Sequence, residues 1–182
     1  MQKMCVIGAG SWGSALALSL HKNNHKVFMW TRDVDQVKEI RDTKENSKFL
    51  PGVIFPDDLI VSNDLEEVIK DSEIVVLAVP SQAVRSVSKQ IKPFIKENQI
   101  LVDVAKGLEK GTGLRLSDVV KEELPNNPYV ALSGPSHAEE VIERALTTVT
   151  CAATVADKAN EIQNSLADLL KVSNQTTQVI II

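Results

Sequence analysis

The chain has 182 residues, 43% hydrophobic and 24% charged, with a net charge of −4, the length and balance of one water-soluble globular domain. The acidic balance argues against a nucleic-acid surface, no apolar run reaches the length of a membrane span, and the N-terminus lacks a signal-peptide pattern, so a cytoplasmic protein is expected. Cys5 and Cys151 are too far apart for a metal or redox motif, so no metal is expected and both read as buried free thiols.

A short apolar run, Met4 to Ile7, leads into Gly8-Ala-Gly10-Ser11-Trp12-Gly13, and Ser14 to Leu20 reads as a helix. Strand, tight glycine turn and helix start, in that order, are the context in which this spacing signals dinucleotide binding. Gly8 lets the chain turn off the strand, Gly10 lets a pyrophosphate approach the backbone, and Gly13 lets the helix pack close to the sheet. The helix start offers unpaired N–H groups and a positive dipole end to the phosphates.

Lys26 to Trp30 suits a buried parallel strand. Thr31-Arg32-Asp33 follows where such a fold selects its ribose. An acidic residue there favours NAD and an arginine accommodates the 2′-phosphate of NADP. With both present the signal is mixed, and the reading leans to Arg32 over the adenosine, NADP accepted and NAD retained. Asp33 also suits the N-cap of a helix from Val34 to Arg41. The stretch from Thr43 to Asp58 carries Pro51, Gly52 and Pro56 and reads as an irregular packed loop.

Ile60 to Ser62 reads as a short strand, and Asp64 caps a helix from Leu65 to Lys70. Glu73 to Val79 is the most apolar strand and stops at Pro80. Ser81 is placed to cap a helix from Ala83 to Ile91. Ligands of open α/β sheets bind outside the carboxyl ends of the strands, which makes Pro80, Ser81 and Gln82 cofactor neighbours; an ordinary strand stop and helix cap is the other reading. The strand Ile100 to Val104 ends near Lys106-Gly107, where a cation can hold a phosphate or polarise a carbonyl. A helix from Leu114 to Leu124 and a strand from Tyr129 to Ser133 precede Gly134-Pro-Ser136-His137-Ala138. Ser136 is placed to cap a helix from Ala138 to Arg144, giving a second anion-receiving helix start. His137 reads as structural rather than as a general acid. Leu146 to Ala152 reads as a strand, Asp157 to Leu170 as a helix with Ile162 on its apolar face, and Gln178 to Ile182 as a last strand. The alternation implies an α/β, Rossmann-like, doubly wound and mostly parallel sheet with helices on both faces and extra C-terminal strands.

Gly8-Ala-Gly-Ser-Trp-Gly13, Leu50-Pro-Gly52 after Asn46, Ala78-Val-Pro-Ser-Gln82, Lys106-Gly-Leu-Glu109 and Leu132-Ser-Gly-Pro-Ser-His-Ala138 occur in that order. Together they resemble the N-terminal half of bacterial NAD(P)-dependent glycerol-3-phosphate dehydrogenases. The resemblance implies reversible hydride transfer between NAD or NADP and a small-molecule pair, dihydroxyacetone phosphate and sn-glycerol 3-phosphate, in glycerophospholipid synthesis. It implies that Ser11, Trp12, Arg32 and Ala138 meet the cofactor, Gly134 and Ser136 the substrate, and Lys106 both. In the family a helical domain follows, opening with a Leu-Gly-Gly-x-x-Lys-Asn motif whose lysine transfers the proton. That motif is not in this sequence, so residues 1–182 are expected to hold one NAD(P)-binding domain with little or no turnover of its own. The face that meets the helical domain is expected to be apolar and suited to a homodimer. A non-catalytic nucleotide-sensing module and a related 2-hydroxyacid-type dehydrogenase are the alternatives.

Overall fold

The computed structural model describes residues 1–134, 138–142, 149–153, 161–162, 164 and 179–181. The main sheet is built from β1 (Lys3–Ile7), β2 (Lys26–Trp30), β5 (Ile60–Ser62), β6 (Ile74–Leu77), β7 (Ile100–Asp103), β8 (Tyr129–Ser133), β9 (Thr150–Ala153) and β10 (Val179–Ile181). Their spatial order is β5-β2-β1-β6-β7-β8-β9-β10. Every pairing from β5 to β8 is parallel. β9 runs antiparallel to β8 and parallel to β10. The chain works outward from β1 to β5, then returns to β6 on the other side of β1. That reversal makes the carboxyl ends of β1 and β6 the topological switch point, where open α/β sheets bind ligands.

Strand alternation divides the core into two layers. Met4 and Val6 of β1, Val27 and Met29 of β2 and Val76 of β6 share one face with Leu16 and Leu20 of α1 (Ser11–Lys22). Ile162 is buried against this layer. Cys5 and Ile7, Phe28 and Trp30, and Val75 and Leu77 face the other way. They meet Val68 and Ile69 of α3 (Leu65–Ile69), Val84 and Ile91 of α4 (Val84–Ile91), and Val119 of α5 (Leu116–Glu123). Each fully buried aliphatic contributes about 1.5–3 kcal/mol, so strands apolar on both faces hold the stack together.

Caps set the ends of two helices as the sequence predicts. Asp33 accepts hydrogen bonds from the N–H groups of Asp35 and Gln36 at the start of α2 (Val34–Thr43), and Asp64 accepts from Glu66 and Glu67 at the start of α3. Ser81 does not cap α4. It opens a single 3₁₀ turn, Ser81–Ala83, closed by the Ala83 N–H donating to the Pro80 carbonyl at 2.7 Å. A backbone bond has taken the place of the side-chain cap.

The stretch read as an irregular loop contains a two-stranded antiparallel ribbon, β3 (Glu45–Asn46) and β4 (Leu50–Ile54). Pro51 is tolerated because a two-stranded ribbon leaves one edge of each strand free of ladder bonds. Gly52, at φ 75°, lies in a bulge that sets Asn46 opposite Leu50 and Glu45 opposite Ile54. The helix read from Ala138 to Arg144 is seen as α6 (Ala138–Ile142). The remainder of that helix, the start of the strand read from Leu146 and most of the Asp157–Leu170 helix lie outside the described residues.

Both cysteines are buried and free. Burial pushes the Cys5 thiol up to about 12 and the Cys151 thiol up to about 11, so neither forms the reactive thiolate near neutral pH. In Ellman's assay at neutral pH the native chain is expected to release almost no chromophore, and the chain unfolded in guanidinium to titrate both thiols.

Candidate functional site

The glycine turn sits on the switch point. Gly8 leaves β1 at φ 118°, a conformation side-chain-bearing residues rarely adopt. Its N–H donates to the Trp30 carbonyl at 2.8 Å. A Cβ at Gly8 would lie 2.3 Å from the Ala78 carbonyl oxygen, and one at Gly13 would lie 2.0 Å from the Gly8 carbonyl oxygen. The turn is therefore wedged between β6 and the first turn of α1, and only bare backbone fits. At Gly10 a Cβ would meet nothing within 4 Å. The space above Gly10 is open, and α1 begins one residue later with Gly10 as its N-cap. Its first N–H groups, including those of Ser11 and Trp12, have no partner within the helix and carry the positive end of the helix dipole.

A cleft of about 420 Å³ opens in front of this turn. Gly8, Gly10, Trp30, Arg32, Asp33, Val79 and Pro80 line it, with Lys48 and Phe49 from the ribbon side and Ser86 and Gln90 from α4. Arg32 is exposed beside the cleft. The Asp33 carboxylate is engaged as the α2 cap, its Oδ1 accepting both bonds. Lys48 stands 5.1 Å over the Phe49 ring, an aromatic face with a cation at the mouth of the cleft.

At neighbouring strand ends lies a second cluster. The Lys106 ammonium donates to the Gly134 carbonyl at 3.0 Å, joining the turns after β7 and β8. Asp103, at the end of β7 and 2% exposed, accepts from the Ala105 N–H at 2.9 Å and from the Tyr129 hydroxyl at 3.0 Å. It shapes the turn that carries Lys106. Burial pushes its carboxyl up to about 6, against the pull of those two donors. Beyond Lys106, the Gln82 amide brackets the chain, donating to the Leu108 carbonyl at 2.9 Å and accepting from the Lys110 N–H at 2.8 Å. Arg85 makes a two-pronged pair with Glu109, at 2.7 and 2.9 Å, and also reaches Glu122 and Glu123. The Arg85 guanidinium, helped by the Thr112 hydroxyl, holds the Glu109 carboxyl down at about 2.

This arrangement has known counterparts. The model of the NAD-dependent glycerol-3-phosphate dehydrogenase N-terminus matches residues 3–159. The chain belongs to that family. Glycerol-3-phosphate dehydrogenase [NAD(P)+] of Fusobacterium nucleatum is 48% identical over 155 residues, which cover 84% of this chain and 46% of that protein. The Clostridium acetobutylicum protein of the same name is 46% identical over 158 residues, covering 87% and 48%. The crystal structure of glycerol-3-phosphate dehydrogenase from Coxiella burnetii superposes with a TM-score of 0.87 at 32% identity, covering 98% of this chain and 53% of that one. The chain spans about half the length of the curated relatives it matches.

Gly8, Gly10, Arg32 and Pro80 come together on the walls of one cleft. Lys106 and Gly134 meet at the adjoining strand ends. Ser11 is half-buried in the first turn of α1, and the half-buried Trp12 packs on the core. Ala138 is buried at the start of α6, a helix packed on α1. Ser136 and His137 lie outside the described residues. Gln82, read as a cofactor neighbour, is engaged in bracketing the Lys106 loop. Lys48, Phe49, Arg85 and Asp103 were not singled out, and a buried acid three residues before Lys106 is the one signal that could have been read.

Three substitutions test these contacts through stability. Gly13→Ala forces backbone apart and is expected to destabilise by about 1–3 kcal/mol or more. Gly10→Ala, in open space with φ −73°, is expected to stay within about 1 kcal/mol of the parent; urea unfolding measures both. Asp103 has a folded value raised above its ordinary 3.8, so the stability it contributes is complete below that value and lost as pH rises through about 6. Asp103→Asn keeps an acceptor for Ala105 without the charge. Between about pH 4 and 7 its stability relative to the parent is expected to improve by on the order of 1–3 kcal/mol, read from unfolding midpoints across that range.

Proposed function

We propose that this chain is the dinucleotide-holding part of an NAD(P)-dependent sn-glycerol-3-phosphate dehydrogenase. The reaction is reversible hydride transfer between the nicotinamide ring and C2 of dihydroxyacetone phosphate. The observation that carries the reading is the glycine turn. Gly8 and Gly13 are wedged where no side chain fits, while Gly10 faces open cleft at a helix start. That is a shape fitted to a pyrophosphate.

The bound cofactor supplies the hydride. The chain's own residues bind and orient. The N–H groups of Gly10, Ser11 and Trp12 receive the pyrophosphate. Arg32, at the ribose end of the cleft, receives the 2′-phosphate of NADP, and Lys48 and Phe49 flank the adenosine. Pro80 and Val79 form the floor leading toward the β7 end. Lys106, held by Asp103 and Gln82 on either side, presents its ammonium where the substrate carbonyl develops negative charge. Gly134 lines the same place, and Ser136 and Ala138 follow it in sequence.

Thermal shift of the 182-residue chain with NADH and with NADPH tests this directly. A ligand at about 100 times its dissociation constant adds about 2.7 kcal/mol of stability, so the midpoint is expected to rise with either cofactor. Gly10→Ala is expected to abolish most of the rise, and Arg32→Ala to weaken NADPH more than NADH. An unmoved midpoint with both cofactors sinks the dinucleotide reading. Equal losses in Arg32→Ala sink the 2′-phosphate role alone.

A further inference from the structure

The glycine turn rests on a buried polar network that its own sequence does not contain. The Ala9 carbonyl accepts two hydrogen bonds, from the Gln36 amide nitrogen at 2.8 Å and from the Asn46 amide nitrogen at 2.9 Å. Gln36 comes from α2 and Asn46 from β3; both are buried, Asn46 completely. Every amide hydrogen of the pair is placed. The second Gln36 N–H goes to the Asn46 side-chain oxygen at 3.1 Å and the second Asn46 N–H to the Ser14 hydroxyl at 2.8 Å. The Gln36 oxygen accepts from the Thr31 hydroxyl at 2.7 Å.

This arrangement decides which way one peptide group faces. The peptide joining Ala9 to Gly10 is trans, so its C=O and N–H point in opposite directions. Two donors draw the Ala9 oxygen into the protein. The Gly10 N–H is thereby turned away from the buried network, at a residue that borders the cleft. Glycine turns are permissive and accept either peptide orientation at little cost, so the turn by itself does not make this choice. Flipping the peptide would strand two buried amide donors, each unsatisfied group costing far more than an exposed one.

We propose that Gln36 and Asn46 are positioning residues, which hold the Ala9–Gly10 peptide with its N–H presented to the pyrophosphate of the dinucleotide. The proposal rests on the dinucleotide reading above and deepens it. The hairpin β3–β4 thus does more than wall the cleft: through Asn46 it presets the anion-binding backbone before cofactor arrives. Thr31 accepts from the Asp33 N–H at 3.3 Å, so the same network also reaches the segment beside the ribose.

Calorimetric titration of the 182-residue chain with ADP-ribose and with adenosine, which lacks the pyrophosphate, separates this role from simple support of the fold. The variants are Gln36→Met and Asn46→Leu, neutral so that no new charge repels the ligand. The control is Ser14→Ala, which removes a network bond but leaves both donors on the Ala9 oxygen. The two donor variants are expected to lose about tenfold in ADP-ribose affinity, with adenosine within about twofold of the parent and Ser14→Ala unchanged in the ratio of the two. Should Asn46→Leu not fold, Gln36→Met, which retains the Asn46 bond, decides alone. Folded variants with the parental ratio, or Ser14→Ala losing the ratio as they do, overturn the positioning role. A parent chain that binds no ADP-ribose overturns the dinucleotide reading beneath it.

Discussion

Three stretches of bare backbone meet at the carboxyl ends of β1 and β6. Gly8 lies against the Ala78 carbonyl and Gly13 against the Gly8 carbonyl, at separations that leave no room for even a methyl group. This close approach lets α1 start immediately over the sheet, so that a helix N-terminus, a turn and a cleft share one corner. The strand order reverses there, and both apolar layers draw on β1 and its neighbours. The polar residues that point inward beneath the turn do so as a closed hydrogen-bonded set, which is the condition for burying them without a large penalty.

The rim between the turn and β8 is held by a different kind of interaction. Gln82 and Arg85 lie on one short segment, and from it they clasp the chain on the far side of Lys106. Pro80 on the same segment lines the cleft in front of the glycine turn. The cleft wall and the Lys106 loop are therefore two sides of one piece of backbone. The Gln82 hydrogen bonds and the Arg85–Glu109 ion pair join the two sides. Such coupling is strongest where the ion pair is shielded, and Glu109 with 14% side-chain exposure is moderately so.

Much of this was legible in the sequence, and particular residues show why. The strands Lys26–Trp30, Ile60–Ser62 and Tyr129–Ser133 have the bounds their apolar runs predict. Asp33 and Asp64 cap helices because an Asp just before an amphipathic segment has a local partner two and three residues on. Contacts with partners far along the chain were not legible. Gln36 and Asn46 reach Ala9 across 27 and 37 residues, and Arg85 reaches Glu109 across 24. The β3–β4 ribbon was hidden by Pro51 and Gly52, which break a central strand but not the open edge of a two-stranded one. Ser81 was misread because a proline before it closed a backbone turn instead of leaving N–H groups to be capped.

The reversal at β9 has a geometric consequence. Ser133 at the end of β8 pairs with Thr150 at the start of β9, so the segment between them leaves and re-enters the sheet on one rim, the rim that carries Lys106 and Gly134. The α6 helix within this segment packs on α1, so the segment also bears on the helix that starts at the glycine corner. The sheet thus offers one shared rim, on which whatever is built beside Lys106 bears on the glycine corner as well, through α6 on one side and Gln82 on the other.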